Sequence, residues 1–267
     1  MKPSINNDYE IPEDHPRSIN LKYRHKIIDG MKNLIVAEAG LIAHGRGECF
    51  DYILGEKTNR NAKRAIEAAV SLLLLARNPI ISVNGNTAAL CANELVKLSK
   101  LVNAKLEINL FYAKEGRIEA IRKVLEKAGA NNLLGIDKDK MVEIPELSSN
   151  RRRVDPRGIK IADVIFVPLE DGDRTEALKR MGKKVIAVDL NPISRTSIWA
   201  DVTIIDNIVR VVPQMILSAK ILKNLKIQQL QNYVNKFNNK KNIQDSLDLI
   251  INYIKEQKKD VFQILKS

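Results

Sequence analysis

Behind His15-Pro16-Arg17, positions Leu21, His25, Ile28 and Met31 or Leu34 recur at spacings of three and four, a helical period that carries Arg24 near its middle. Residues 59–76 predict a long helix that becomes apolar all round, as a buried helix does. Asn78-Pro79 breaks it. Residues 80–83 then read as a strand running into Asn84-Gly85-Asn86, and residues 87–101 as a helix. The alternation continues with a strand over 104–110 and a helix over 116–128 whose Ile118, Ile121, Leu125 and Ala128 share one face. Residues 136–158 turn polar and irregular and predict a long loop, the kind that is usually functional or disordered. Regular structure returns with a strand over 162–167, a helix over 174–181, a strand over 185–188 and a short strand over 202–205. From Asn207 onward the pattern is nearly all helical, ending in an amphipathic segment around Leu247, Ile250, Ile251, Ile254 and Val261.

At least five short apolar strands separated by helices predict an α/β fold, with a mostly parallel sheet covered by helices on both faces. The expected organisation is one domain over 1–267, with N-terminal helices in 15–76, an α/β core in 79–206 and C-terminal helices in 207–267. There is no internal repeat. Ligands of such sheets bind outside the carboxyl ends of the strands. Weight therefore falls on Asn84 to Asn86, Glu170 to Asp173, Asp189 to Asn191, and Asp206 with Asn207.

The charge balance is compatible with an anionic partner. The chain of 267 residues carries 44 basic and 32 acidic side chains, a net +12, which suits a nucleotide, a phosphorylated metabolite or a nucleic acid. Many lysines fall after Lys220 and read as solvating surface. Cys49 and Cys91 form no CxxC and fit buried thiols in a reducing compartment. The polar opening decapeptide lacks the apolar core of a signal peptide, and the longest apolar run, 72–76, is too short to span a bilayer. A cytoplasmic protein with no membrane partner is expected.

Neither GxGxxG nor GxxxxGK[ST] occurs, so a nucleotide would be held by other means. The turn Asn84-Gly85-Asn86-Thr87 feeds a helix whose first amides favour a phosphate or carboxylate, or else is an ordinary left-handed turn with Asn86 as cap. Asp171-Gly172-Asp173 offers two carboxylates for a magnesium ion, or a turn in which Asp173 caps the next helix. Asp189, at a strand's carboxyl end, can accept both hydroxyls of a ribose with Asn191, Arg195 and Thr196 close behind; alternatively Asp189 and Arg195 pair in a loop. Arg151-Arg152-Arg153 is a candidate phosphate clamp, a solvated loop or a nucleic-acid contact. Aromatics make up 4% of the chain and none is interleaved with that loop, which argues against a stacking platform for single strands. The stretch GLIAHGRGE (40–48) reads as flexible backbone on which His44 and Arg46 approach an anion, Arg46 being the permanent charge. Three histidines without ligand spacing make no protein metal site.

Taken together, GLIAHGRGECFDYILGEKT, PIISVNGNTAAL, AKLEINLFY, NRRRVDPRGI, ADVIFVPLEDGDRTEALKRMGKKVIAVDLNPISRT and TIIDNIVR resemble the archaeal phosphopantothenate synthetase family, also called 4-phosphopantoate–β-alanine ligase, over residues 10–215. The resemblance implies a Rossmann-like core, a homodimer, and an ATP-dependent ligase of coenzyme A synthesis. It would join 4-phosphopantoate to β-alanine, giving 4-phosphopantothenate, AMP and diphosphate, with magnesium on the nucleotide. By motif, the nucleotide contacts it implies are Arg24, Arg46, Asp189, Leu190, Asn191, Arg195, Thr196, Asn207 and Ile208. Within that function Asn84, Gly85, Asn86 and one of the arginines, Arg151 first, become candidates for 4-phosphopantoate. Arg46 is the candidate for charge developing in the reaction. His44, with an ordinary pKa of about 6.5, is a candidate base for the β-alanine ammonium. Two other readings stay open on the residues alone: another nucleotide-dependent transferase on the same core, or a basic nucleic-acid-binding protein.

Overall fold

A computed structural model of the chain describes residues 11–15 and 17–264, so the opening decapeptide and Pro16 lie outside the described residues. Three helices precede the first strand: α1 (Ser18–Lys32), α2 (Glu38–Ile53) and α3 (Arg60–Leu75). Asn59 starts α3 by accepting from the Ala62 N–H at 2.9 Å. The helix is not apolar all round as its sequence suggests. Ala62, Ala65, Ile66, Ala69, Val70 and Leu73 are buried, whereas Lys63 and Arg64 stand in solvent.

The core runs β1 (Pro79–Val83), α4 (Gly85–Leu101), β2 (Lys105–Ile108), α5 (Arg117–Lys127), the short β3 (Val142–Glu143) and β4 (Arg153–Val154), then β5 (Val164–Pro168), α6 (Gly172–Arg180), β6 (Lys184–Val188), α7 (Arg195–Trp199) and β7 (Val202–Ile204). It is followed by α8 (Ile208–Leu222), α9 (Ile227–Lys236) and α10 (Asn239–Ile264). Five strands form one sheet in the order β2-β1-β5-β6-β7, every neighbouring pair parallel.

Strand side chains alternate between two buried faces, which is why these strands read as unbroken apolar runs. Ile81, Val83, Val164, Phe166, Ile186 and Val188 pack with buried residues of α3, α4, α5 and α8. Ile80, Ile165, Val167, Val185 and Ala187 pack on the opposite side with Ala177 and Leu178 of α6. That second face also explains residues 136–158, which are not the structureless loop expected. Val142 and Glu143 pair antiparallel with Val154 and Arg153, and Ile144, Leu147, Val154 and Ile159 are buried beneath the sheet. Strands of two residues are too short for alternation to register in a sequence.

The first strand of the sheet has its successor β2 on one side and β5 on the other, so the topological switch point lies between β1 and β5. Of the two cysteines expected to be buried, Cys91 is, whereas Cys49 is exposed on α2. Among the described residues no helix is long and apolar enough to cross a membrane.

Candidate functional site

A cavity of about 500 Å³ opens at the carboxyl ends of β1, β5 and β6, beside the switch point. Its roof is α2. Gly40, Ala43, His44 and Gly47 recur at the spacing that shares a helix face, and all four line the cavity. GLIAHGRGE is therefore helix and not the flexible backbone expected. Glycine costs about 1 kcal/mol relative to alanine inside a helix, so contacts rather than propensity must hold α2. At Gly40 the reason for glycine is close approach: a Cβ there would stand 2.3 Å from Asn86 Oδ1 and 2.8 Å from Val36 Cγ1. Farther along α2, the buried Asp51 accepts from Arg210 and from Asn207 Nδ2 (2.8 Å), tying α2 to the start of α8.

One wall of the cavity is the turn from β1 into α4. The cap is Asn84, in extended backbone, rather than Asn86 in a left-handed turn; Asn84 Oδ1 accepts from Thr87 N at 3.1 Å and the Thr87 hydroxyl oxygen accepts from Asn84 N at 3.0 Å. Its Nδ2 donates to the Pro168 and Leu169 carbonyls (3.0 and 3.1 Å), so Asn84 laces the ends of β1 and β5 together across the switch point. Asn86 Nδ2 donates to the Gly40 carbonyl at 2.8 Å. Both asparagine side chains thus hold structure, and what this turn offers a ligand is the first-turn amides of Gly85 and Asn86.

Beside them lie buried arginines. Of the three in Arg151-Arg152-Arg153, only Arg151 is buried and lines the cavity; Arg152 and Arg153 pair with Glu143 on the surface. Arg151 pairs with Glu170 and with Asp171 (2.9 Å) and sits 5.8 Å from the Phe111 ring centroid. Burial, with the Arg174 charge beside it, pushes its pKa down to about 9. Arg174, fully buried, donates to Ser82 Oγ at 3.0 Å and to Glu170; burial brings it down to about 10. Asp171, not Asp173, caps α6, accepting from Arg174 N at 2.8 Å. Arg117 and Glu48 also line the cavity and were missed from the sequence, as were Phe111 and Tyr112. A polar residue that is buried, or one that follows no strand directly, gives no sequence signal of its own.

The opposite wall is built by the loops after β6 and β7. Asp189 accepts from Asn191 N (2.9 Å) and the Ser194 hydroxyl, and Asn191 Oδ1 accepts from Ile193 N (3.0 Å), so the loop is held in one shape before any ligand arrives. Burial raises the Asp189 pKa above the usual carboxylate value, against the lowering effects of those hydrogen bonds and of the Arg46 charge. Leu190 packs with Leu54, Ile205 and Ile250, and Ile208 is buried; both reach the cavity. Asn207 caps α8 by accepting from Val209 N.

Of the sequence candidates, His44, Arg46, Asn84, Gly85, Asn86, Arg151, Asp189, Leu190, Asn191, Asn207 and Ile208 line this one cavity. Arg24 does not line it but pairs at 2.9 Å with Glu48, which does. Arg195 lies outside it, exposed, pairing with Asp173 and Glu176 (both 2.6 Å) and not with Asp189. Thr196 is buried behind it and donates to the Glu170 carbonyl at 2.9 Å. Arg46 forms no ion pair among the described residues. The His44 Nε2 is buried without a hydrogen-bond partner. Burial lowers the His44 pKa, against a raising effect from Glu48, and the Arg24 charge lowers it further, so the imidazole is neutral at pH 7.

Comparison with known proteins converges on one family. The family model of phosphopantothenate/pantothenate synthetase matches residues 61–253. A 4-phosphopantoate–β-alanine ligase of Thermococcus onnurineus is 53% identical over 89% of this chain and 91% of its own length. The ligase of that name from Thermococcus kodakarensis is 52% identical over 89% of this chain and 90% of its own, and that from Methanosarcina mazei 44% identical over 92% and 96%.

Proposed function

Because the chain belongs to the phosphopantothenate/pantothenate synthetase family, we propose that it is an ATP-dependent ligase that joins 4-phosphopantoate to β-alanine. The products are 4-phosphopantothenate, AMP and diphosphate, and the step belongs to coenzyme A synthesis. The observation that carries this reading is that one cavity gathers loops bearing a carboxylate and amides on one wall and buried cations with first-turn amides on the other. Two anionic substrates repel each other, and a site that joins them must offset that repulsion with fixed charge and oriented dipoles.

In this reading the nucleoside lies against Asp189, Leu190, Asn191, Asn207 and Ile208, with Asp189 on the ribose. Asn191 fixes the loop, and Arg195 and Thr196 act from behind by holding α7 to α6 and to the Glu170 carbonyl. The 4-phosphopantoate lies against the Asn84 to Asn86 turn and Arg151. Its carboxylate oxygen attacks the α-phosphorus of ATP, diphosphate leaves, and the acyl adenylate loses AMP when the β-alanine amine attacks the carbonyl carbon. Arg46, exposed on the cavity wall with no carboxylate partner among the described residues, offsets charge on the phosphates. Arg24 supports it by holding Glu48. The neutral His44, with Nε2 unpartnered, takes the proton that β-alanine must lose before it attacks. The described residues form no histidine or carboxylate cluster for a metal. Magnesium would arrive with the nucleotide and would supply positive charge that offsets the departing diphosphate.

The working unit in this reading is a cytoplasmic homodimer with neither nucleic acid nor membrane as partner. Phosphorus NMR of the purified protein with ATP, magnesium, 4-phosphopantoate and β-alanine, each omitted in turn, tests the reaction. AMP and diphosphate appearing only with all components is the expected result; ADP and orthophosphate would replace the adenylate by an acyl phosphate, and turnover without β-alanine would refute the ligase.

A further inference from the structure

The cations around the cavity differ in how their charge is balanced. Arg151 and Arg174 share Glu170, Arg151 also meets Asp171, and Arg210 is held by Asp51 and Asp206. Arg117 has no carboxylate partner among the described residues. It is 5% exposed, and its guanidinium donates to two backbone carbonyls, those of Tyr112 and Ile35, the latter at 2.7 Å. Its Nε is buried with no partner. Burying a permanent cation without a counter-charge is unfavourable by several kcal/mol, so a fold keeps one there only where other interactions fix it.

The surroundings show what would balance it. A Cβ on Gly85 would stand 2.6 Å from Arg117 Nη2 and 2.2 Å from the Ile35 carbonyl, so the guanidinium lies against the first residue of α4. The first-turn amides of Gly85 and Asn86 and the positive end of that helix therefore meet the Arg117 charge on the cavity wall. Arg151 is near enough for the Arg117 charge to depress its pKa, so the two cations repel each other until an anion lies between them. The sheet places this cluster away from the nucleoside wall. Strand spacing of about 4.8 Å puts the end of β1 roughly 10 Å from that of β6 and 14 Å from that of β7.

We propose that Arg117, with the first-turn amides of α4, holds the phosphate monoester of 4-phosphopantoate and is the residue by which this site selects the phosphorylated acid over pantoate. The inference rests on the ligase reading above and adds to it a specificity-determining residue. Arg117 opens α5 directly after Gly116, whose φ of 78° is the left-handed conformation that glycine adopts without strain. The guanidinium is held by two carbonyls that take up none of its charge, so it can serve a phosphate without first breaking an ion pair.

The test compares kcat/KM for 4-phosphopantoate and for pantoate in the wild type, Arg117→Gln and Arg117→Lys. Glutamine should lower kcat/KM for the phosphorylated acid by about 10- to 100-fold and collapse its advantage over pantoate, while KM for ATP stays within about twofold. Lysine, which keeps the charge and loses the fork, should fall between. Inorganic phosphate should compete with 4-phosphopantoate in the wild type and lose that inhibition in Arg117→Gln. Equal losses for both acids, or phosphate competing with ATP instead, would overturn the assignment. Should the glutamine variant fail to fold, the lysine variant decides by the same ratio. Thermal stabilisation by inorganic phosphate in wild type, weaker in Arg117→Lys and absent in Arg117→Gln, supports the anion site without any turnover; equal stabilisation of all three would overturn it, so failure of the ligase reading and failure of this one are separable.

Discussion

Gly40 and Gly45 lie five residues apart in α2 and make opposite forecasts for one substitution. A Cβ on Gly45 meets nothing within 4 Å, so Gly45→Ala gains only the helix preference of alanine, about 1 kcal/mol. At Gly40 the same gain is opposed twice. The added carbon would lie 2.3 Å from Asn86 Oδ1, so Asn86 must swing away and give up its 2.8 Å hydrogen bond to the Gly40 carbonyl, about 1 kcal/mol. Crowding against Val36 Cγ1 at 2.8 Å adds the overpacking penalty of about 1–3 kcal/mol. The net is a loss of roughly 1–3 kcal/mol for Gly40→Ala against a gain of about 1 kcal/mol for Gly45→Ala. In a chain of this size each kcal/mol moves Tm by about 2–4 °C. Thermal unfolding without ligands, followed by far-UV circular dichroism, should separate the two variants by at least about 4 °C with Gly45→Ala the higher. Because α2 roofs the cavity, Gly40→Ala should also raise KM for ATP and 4-phosphopantoate together. A Gly40→Ala protein as stable as Gly45→Ala would refute the close approach of α2 to α4.

Arg46→Ala should slow AMP formation from the three substrates about thirtyfold or more, the loss of roughly 2–4 kcal/mol of charge stabilisation; a rate within threefold of wild type contradicts its role. His44→Gln should cut the β-alanine-dependent step by about 100-fold or more while diphosphate exchange into ATP persists. Its lowered pKa puts the acid limb of the wild-type rate below pH 6.5, and an unchanged limb in the variant would exclude it as the base. Glu107, buried on β2 and accepting from Asp155 N and Ile159 N, has its pKa pushed up to about 7 by burial. The folded state therefore binds that proton more tightly than the unfolded chain, and stability falls as pH rises from about 4.5 to about 7, by up to about 3 kcal/mol, then levels. Denaturant unfolding at pH 5 and pH 8 should show Glu107→Gln losing this slope, and an identical slope in the variant would assign it to other groups.

The sheet was legible because its strands are buried on both faces and separated by breakers such as Asn78-Pro79, so apolar runs alone marked them. Strand-end polar residues were legible for a topological reason: a parallel sheet delivers all of its carboxyl ends to one side, and Asn84, Asp189 and Asn207 arrive there together. What a residue does on arrival was less legible. Asn84 spends its amide on the Pro168 and Leu169 carbonyls, and Arg195 pairs with α6 rather than with the nearer-in-sequence Asp189, because partners are chosen by packing geometry and not by chain distance.

The misreadings share a cause. Glycine in GLIAHGRGE was taken as conformational freedom, whereas at Gly40 its use is the absence of a side chain where α2 crosses Asn86; local propensity and tertiary contact pull in opposite directions, and contact wins. Arg117 and Arg174 drew no weight and Arg151 only as one of a run of three, whereas all three are buried, and no pattern of hydropathy marks a cation that folding will enclose. Both errors fall on the cavity, and neither is accidental. A site for anions must hold backbone and cation closer together than a stable helix or a comfortable core would choose. The positions where sequence rules fail are therefore the ones that bound the ligand, and the unbalanced charge of Arg117 is the sharpest of them.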